Sequence, residues 1–86
     1  FDLYLPMVSS LKEKRSIIKS LIEKSRNNFN IAVSETDDND LWKNSNISAV
    51  TVSNNRRHID SIFSKYINFL DEFPGAEMRD YKIEIF

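Results

Sequence analysis

The residues Ile59, Ile62, Phe63, Tyr66, Ile67 and Leu70 recur at i, i+3, i+4 and i+7, and this stripe constrains the fold more than any other feature of the chain. It predicts a helix with Arg56, Asp60, Ser64, Lys65 and Asp71 turned outward, whose apolar face needs a broad surface to pack on. Ser53, Asn54 and Asn55 are each placed to cap its start. Phe73-Pro74-Gly75 ends it, because Pro74 cannot continue the hydrogen-bond ladder and Gly75 tolerates the turn. A second helix is announced by Ser10-Leu11-Lys12-Glu13, a capping box in which the Ser10 hydroxyl accepts from the Glu13 amide and the Glu13 carboxylate reaches back. Leu11, Ile18, Leu21, Ile22 and Ser25 share its inner face, Lys12, Lys19, Glu23 and Arg26 lie opposite, and Asn27-Asn28 closes it.

Around these helices the period changes to two, the repeat of a strand with one buried face. Phe1, Leu3 and Leu5 alternate with Asp2 and Tyr4 until Pro6 stops the run. Phe29, Ile31 and Val33 alternate with Asn30, Ala32 and Ser34 and lead into a polar loop, Glu35 to Asp40. Ile47 to Val52, rich in β-branched residues, predicts a third strand, and Arg79, Tyr81, Ile83 and Ile85 against Asp80, Lys82 and Glu84 predict a fourth. Leu41-Trp42 interrupts the polar loop and is expected to tuck under the domain as a plug. The order βαββαβ is most simply satisfied by an α+β, ferredoxin-like fold, a four-stranded antiparallel sheet with two helices packed on one face. With 86 residues the expectation is a single domain over residues 1–86, and its 41% apolar content offsets the entropy of folding narrowly enough that a homo-oligomer would help.

Several classes of function are disfavoured by composition. Twelve Lys and Arg against thirteen Asp and Glu leave no bulk charge for coating nucleic acid, so such binding needs a local patch. The absence of cysteine removes disulfides, thiolate metal sites and cysteine nucleophiles, and fits a reducing compartment; a cytoplasmic location is expected. No apolar run approaches the ~20 residues of a membrane span, so no membrane partner is expected.

The run Leu5-Pro6, Ser10-Leu11-Lys12-Glu13-Lys14-Arg15, Asp40-Leu41-Trp42 and Val52-Ser53-Asn54 resembles the bacterial YlxP-like family, across nearly the whole chain. The resemblance implies the same ferredoxin-like fold, and it implies that a few residues carrying the initiator methionine and the start of the first strand precede Phe1. The chain departs from the family's pattern at Ser48, where glycine is common, and in an asparagine-rich loop between residues 37 and 46. The family is a domain of unknown function, so no activity carries over. Its genes often neighbour those for ribosome-binding factor A and translation initiation, which implies a translation-linked role by association alone.

The residues themselves supply one asymmetry. The first helix carries Lys12, Lys14, Arg15, Lys19, Lys24 and Arg26 against Glu13 and Glu23. Lys12, Lys19 and Arg26 recur every seven residues, a spacing suited to tracking a phosphate backbone, although a solvated charged face has the same signature. Lys14 and Arg15 lie nearer the apolar face, where their stems cover its edge. Arg56, Arg57 and His58 fall in the first turn of the second helix, where cations oppose the dipole and an anion or a nearby aspartate would relieve them. The candidate nucleic-acid contacts are therefore Lys12, Lys14, Arg15, Lys19, Arg26, Arg56 and Arg57.

No catalytic or metal signature stands beside them. His58 is the only histidine, Asp37, Asp38 and Asp40 lack the glycine and distal glutamate of a calcium loop, and His58, Glu35, Asp40 and Arg56 mark no acid–base pair. Neither a cofactor nor a metal is expected. Strand alternation gives an open sheet face of Asp2, Asn30, Ala32, Ser34, Lys82 and Glu84, with Tyr4 as the one aromatic platform, unlike the aromatic-rich face with which RNA-recognition domains bind bases. The expected function is a non-enzymatic accessory factor bound to ribosomal RNA or a ribosomal particle. The rival is an oligomeric protein-interaction or ligand-sensing module that works through the sheet face.

Overall fold

A computed structural model describes residues 1–37 and 41–86. Its elements are β1 (Asp2–Tyr4), α1 (Leu11–Asn28), β2 (Ala32–Asp37), β3 (Asn44–Val50), α2 (Arg56–Asp71) and β4 (Glu77–Asp80). The strands form one sheet in the order β2-β3-β1-β4, and every neighbouring pair is antiparallel. This is the ferredoxin-like arrangement that the alternating periods imply.

Register decides which residues meet the helices. Leu3 pairs with Ser45, Val33 with Ala49 and Glu35 with Ile47, and this row faces α1 and α2. Asp2 opposite Asn46 and Ser34 opposite Ser48 belong to the other row, the open face. Leu5, Leu21, Ile47, Tyr66 and Leu70 are inaccessible to water, each stabilising the fold by roughly 1.5–3 kcal/mol relative to exposure. An aromatic cluster seals one end of this core. The Phe1 and Phe29 rings meet Tyr66 edge-on at 5.4 and 5.2 Å, and Phe69 stacks on Tyr66 at 5.8 Å. Within it the Ser25 hydroxyl donates to the Leu21 carbonyl at 2.7 Å, so the Tyr66 hydroxyl donates to Ser25 Oγ at 2.9 Å. Burial pushes the Tyr66 phenol above its ordinary pKa, with the Ser25 bond opposing that shift.

Both helices start as their caps dictate. Ser10 Oγ accepts from the Glu13 amide at 3.1 Å, and Asn55 Oδ1 accepts from the amides of Arg57 and His58. The capping box differs in one detail. The Glu13 carboxylate accepts from the Ser9 amide and the Ser9 hydroxyl, at 3.0 and 2.9 Å, rather than from the amide of Ser10. These bonds, the backbone one foremost, hold its pKa below the ordinary value. At the end of α2 the chain turns through Gly75, whose φ of 89° is strained for any residue with a Cβ.

Three strand expectations shift. β3 occupies Asn44–Val50 rather than Ile47 to Val52, because Asn44, Ser45 and Asn46 gain backbone partners in β1 that outweigh their poor intrinsic preference. β2 begins at Ala32, so the alternation of Phe29 and Ile31 belongs to the approach rather than to the strand. β4 is Glu77–Asp80, and Tyr81 to Phe86 lie outside any strand despite their alternation. The expected plug is also corrected: Leu41 and Trp42 are half-exposed, at 49% and 52%. The Leu5 amide donates to the Lys43 carbonyl at 2.8 Å and pins the chain there, so the two residues before Lys43 emerge beyond the core. Asp38 and Asp40, at the end of the expected polar loop, lie outside the described residues.

Candidate nucleic-acid interface on helix α1

The periodicity of α1 sorts its cations into three environments. Lys12, Arg15 and Lys19 stand on the exposed face, and none of them forms an ion pair with a described residue. Arg26 is exposed yet anchored, since its Nη2 donates to the Val33 carbonyl at 2.9 Å and fixes the guanidinium against β2. Lys24 lies over the Phe73 ring, 5.6 Å from its centroid, a cation–π contact that ties the last turns of α1 to the end of α2.

Lys14 is the exception among the candidate contacts. It is fully buried, and its ammonium lies 3.0 Å from Glu35 Oε2, a carboxylate oxygen that also accepts from the Ser45 hydroxyl at 2.5 Å. An ammonium in that position presents nothing to a phosphate in solvent. Its expected role as a stem covering the edge of the apolar face understates the case, because the whole side chain has become core. The spacing carried the signal: Lys14, Ile18, Leu21 and Ser25 are the buried residues of α1, at i, i+4, i+7 and i+11. Glu35 follows Val33 by two residues on the inward row of β2.

The exposed face of α1 and the neighbouring edge strand β2 enclose a groove of about 400 Å³. Ile18 and Ile22 form its apolar floor, while Arg15, Lys19 and Arg26 supply cations along its rim. Ser34 and Glu35 complete the β2 side, residues that sequence reasoning did not connect with this face. Five exposed cations on the helix face two exposed carboxylates, Glu13 and Glu23, and the first of these is engaged by Ser9.

The cations of the second helix sit at the far end. β2 begins opposite the end of β3, where Ala32 pairs with Val50, so the C-terminus of α1 and the N-terminus of α2 lie at the same end of the sheet. Arg56 and Arg57 are exposed there, as is His58, and the amides of Arg57 and His58 are taken by Asn55. Lys12 marks the opposite end, about 21 Å from Arg26 at 1.5 Å per helical residue.

The open sheet face offers no base-stacking surface at Tyr4. The Arg79 guanidinium covers that ring at 4.3 Å from its centroid, and Glu77 holds the same guanidinium at 3.2 Å. Asn46 bonds to the Asp2 carboxylate, and Thr36 to Ser48, so small polar groups close on one another across this face. Of the expected open-face residues, Asp2, Asn30, Ala32 and Ser34 are exposed as anticipated, whereas Lys82 and Glu84 pair with each other at 2.8 Å beyond the sheet. Among the described residues no cluster of His, Asp and Glu is arranged to hold a metal ion, and no helix is long and apolar enough to cross a membrane.

A four-stranded, two-helix α+β protein with a cationic helix is thus the class that fold and surface define. The chain belongs to the family described as "Protein of unknown function (DUF503)", whose model matches residues 1–83. It is 31% identical over 77 residues to an uncharacterized protein, YlxP, of Bacillus subtilis (strain 168), an alignment covering 90% of this chain and 84% of that one.

Proposed function

We propose that the protein is a non-enzymatic accessory factor that associates with structured RNA, ribosomal RNA being the leading candidate, through the outer face of α1. One observation carries the reading: Lys12, Arg15 and Lys19 lie along an exposed helical face with no ion-pair partner among the described residues, on a chain whose net charge is near zero. Unneutralised cations at helical spacing release counterions when they meet phosphates, and that release drives binding independently of sequence. Arg26 adds a guanidinium held in place before any ligand arrives, and Arg56 and Arg57 extend the charged track at the same end of the sheet. Backbone binding also suits a sheet face without an available aromatic platform. The test is co-sedimentation of the full-length protein with ribosomal subunits on gradients at low and high salt. Salt-sensitive co-sedimentation that disappears when Lys12, Lys19 and Arg26 are all replaced by alanine supports the site, and migration at the top of the gradient at both salts rejects it.

A second reading rests on the opposite surface. Ala32, Ser34, Thr36 and Ser48 give the open face of β2 and β3 short side chains, a flat surface suited to a second copy of this chain. Light scattering at micromolar concentration separates the two readings, since an oligomer formed through this uncharged patch changes little with salt.

A further inference from the structure

β2 is an edge of the sheet, and among the described residues its outer side meets no other strand. The direction of its backbone groups follows from bonds elsewhere in the sheet. The Phe1 amino group donates to the Ile47 carbonyl and the Ile47 amide donates to the Phe1 carbonyl, so the backbone of Ile47 faces β1. Backbone groups alternate sides along a strand, and Ser48 therefore faces β2, where its partner is Ser34. Val33 and Glu35, on either side of Ser34, turn their amides and carbonyls outward. One side chain already meets them there, since the Arg26 guanidinium donates to the Val33 carbonyl at 2.9 Å.

The groove between α1 and β2 runs beside this outer edge. α1 lies antiparallel to β2, because Arg26 meets Val33 near the start of the strand and Lys14 meets Glu35 further along it. Along the groove the helix therefore presents Arg26, Ile22, Lys19, Ile18 and Arg15 in that order. From Arg26 to Arg15 is about 16 Å at 1.5 Å per helical residue, the length of roughly five residues of strand. Charge along the walls is one-sided. Arg15, Lys19 and Arg26 stand against Glu23, while the Glu35 carboxylate is matched by Lys14.

We propose that this groove seats an extended acidic segment of another protein, which joins the sheet as a further strand along β2. Three parts of such a segment match three parts of the groove. Its backbone takes the outward groups of Val33 and Glu35. An apolar side chain on its inward row rests on Ile18 and Ile22. Carboxylates two residues before and after that side chain meet Arg26 at one end and Arg15 with Lys19 at the other. The pattern recognised is acidic, any, apolar, any, acidic. Before the segment arrives, Arg26 occupies the Val33 carbonyl and blunts the edge against indiscriminate pairing. The segment's own amide replaces it there, and the guanidinium turns to a carboxylate. A seated segment covers Lys19 and Arg26, so it and RNA exclude one another on α1, while seating itself needs no RNA.

Amide exchange in the full-length protein, without RNA, tests this with two peptides blocked at both ends: Thr-Glu-Thr-Val-Thr-Glu-Thr, and the same sequence with lysine at both glutamates. At millimolar concentration the glutamate peptide is expected to slow exchange at Val33 and Glu35 by roughly tenfold or more, and to leave Ile47, whose amide faces β1, unchanged. The lysine peptide is expected to slow neither. No slowing by the glutamate peptide overturns the proposal, as does equal slowing by both peptides, which takes the cations out of the recognition. Replacing the exposed pair by Arg15→Glu and Lys19→Glu is expected to abolish the response while Ile47 stays as protected as in the parent, and an undiminished response overturns the proposal. Protection of Val33 and Glu35 that grows with protein concentration in the absence of peptide overturns it by giving the edge to a second copy. Slowing of the same amides by a structured RNA and not by the peptide overturns it by giving the groove to RNA.

Discussion

The two sides of the sheet are held by different means. On the β2/β3 side, backbone pairing from Ala32 to Asp37, with a register shift after Glu35, is backed by α1, whose Lys14 reaches through the apolar layer to Glu35, the acceptor of the Ser45 hydroxyl. On the β1/β4 side, backbone pairing is short, and rings take over: Phe1 meets Tyr66 and Tyr81, while Tyr81 to Phe86 pass beside the sheet without joining it. Both sides carry the same period-two alternation. The difference is that a strand forms where a neighbouring backbone can accept its hydrogen bonds, and alternation alone does not provide one.

The polar pin offers the largest perturbation with which to break this comparison. Glu35→Ala removes the carboxylate 3.0 Å from the buried Lys14 ammonium, and the expected cost is about 3 kcal/mol, the lower end for a broken buried pair because Glu35 is 17% exposed. Urea unfolding measures it, and an unchanged midpoint would show that Lys14 swings out to solvent. Replacing Lys14 by Met and Glu35 by Leu together is expected to cost less, about 1–3 kcal/mol for the buried Ser45 hydroxyl that loses its acceptor, since the buried ammonium is gone as well. On the aromatic side, Ser25→Ala leaves the Tyr66 hydroxyl without its acceptor, at an expected cost of about 1–3 kcal/mol by the same measurement. Ser10→Ala removes the α1 cap, and thermal unfolding should show a loss of about 1 kcal/mol.

Smaller effects sharpen the contrast. The Tyr66 phenol is raised above its ordinary value of 10.0 in the folded state, so it favours folding while both states are protonated. That contribution is lost as pH rises above the unfolded value and through the folded one. Stability followed between pH 9 and 12 should therefore fall less steeply in Tyr66→Phe than in the parent chain. Trp42→Ala should change stability by no more than about 0.5 kcal/mol, because half of the ring is already in water. As the sole tryptophan, Trp42 reports its own exposure, and fluorescence resistant to a soluble quencher would restore the buried plug.

Helices were the most legible elements because cap and stripe reinforce each other, as in Ser10 with Ile18 and Leu21, or Asn55 with Tyr66 and Leu70. Strand ends were less legible, since Asn44 to Asn46 depend on partners forty or more residues earlier in the chain. At the candidate interface, Lys12 and Lys19 could be placed on an outer face from spacing alone, whereas Arg15, expected at the edge of the apolar face, is exposed. Lys14 could not be separated from them by charge, and only its position four residues before Ile18 betrayed its burial. The groove shared with Ser34 and Glu35 was beyond reach, because it depends on which strand lies beside α1.

The most direct test of the RNA reading is the salt dependence of binding to a fluorescent structured RNA, followed by anisotropy for the parent and for the Lys12, Lys19 and Arg26 triple alanine variant. The account predicts that the logarithm of affinity falls linearly with the logarithm of salt, and that the variant's slope is smaller by about 2–3, since each phosphate contact contributes roughly 0.7–0.9. Equal slopes, or affinity indifferent to salt, would contradict the assignment of α1 as the surface that meets RNA.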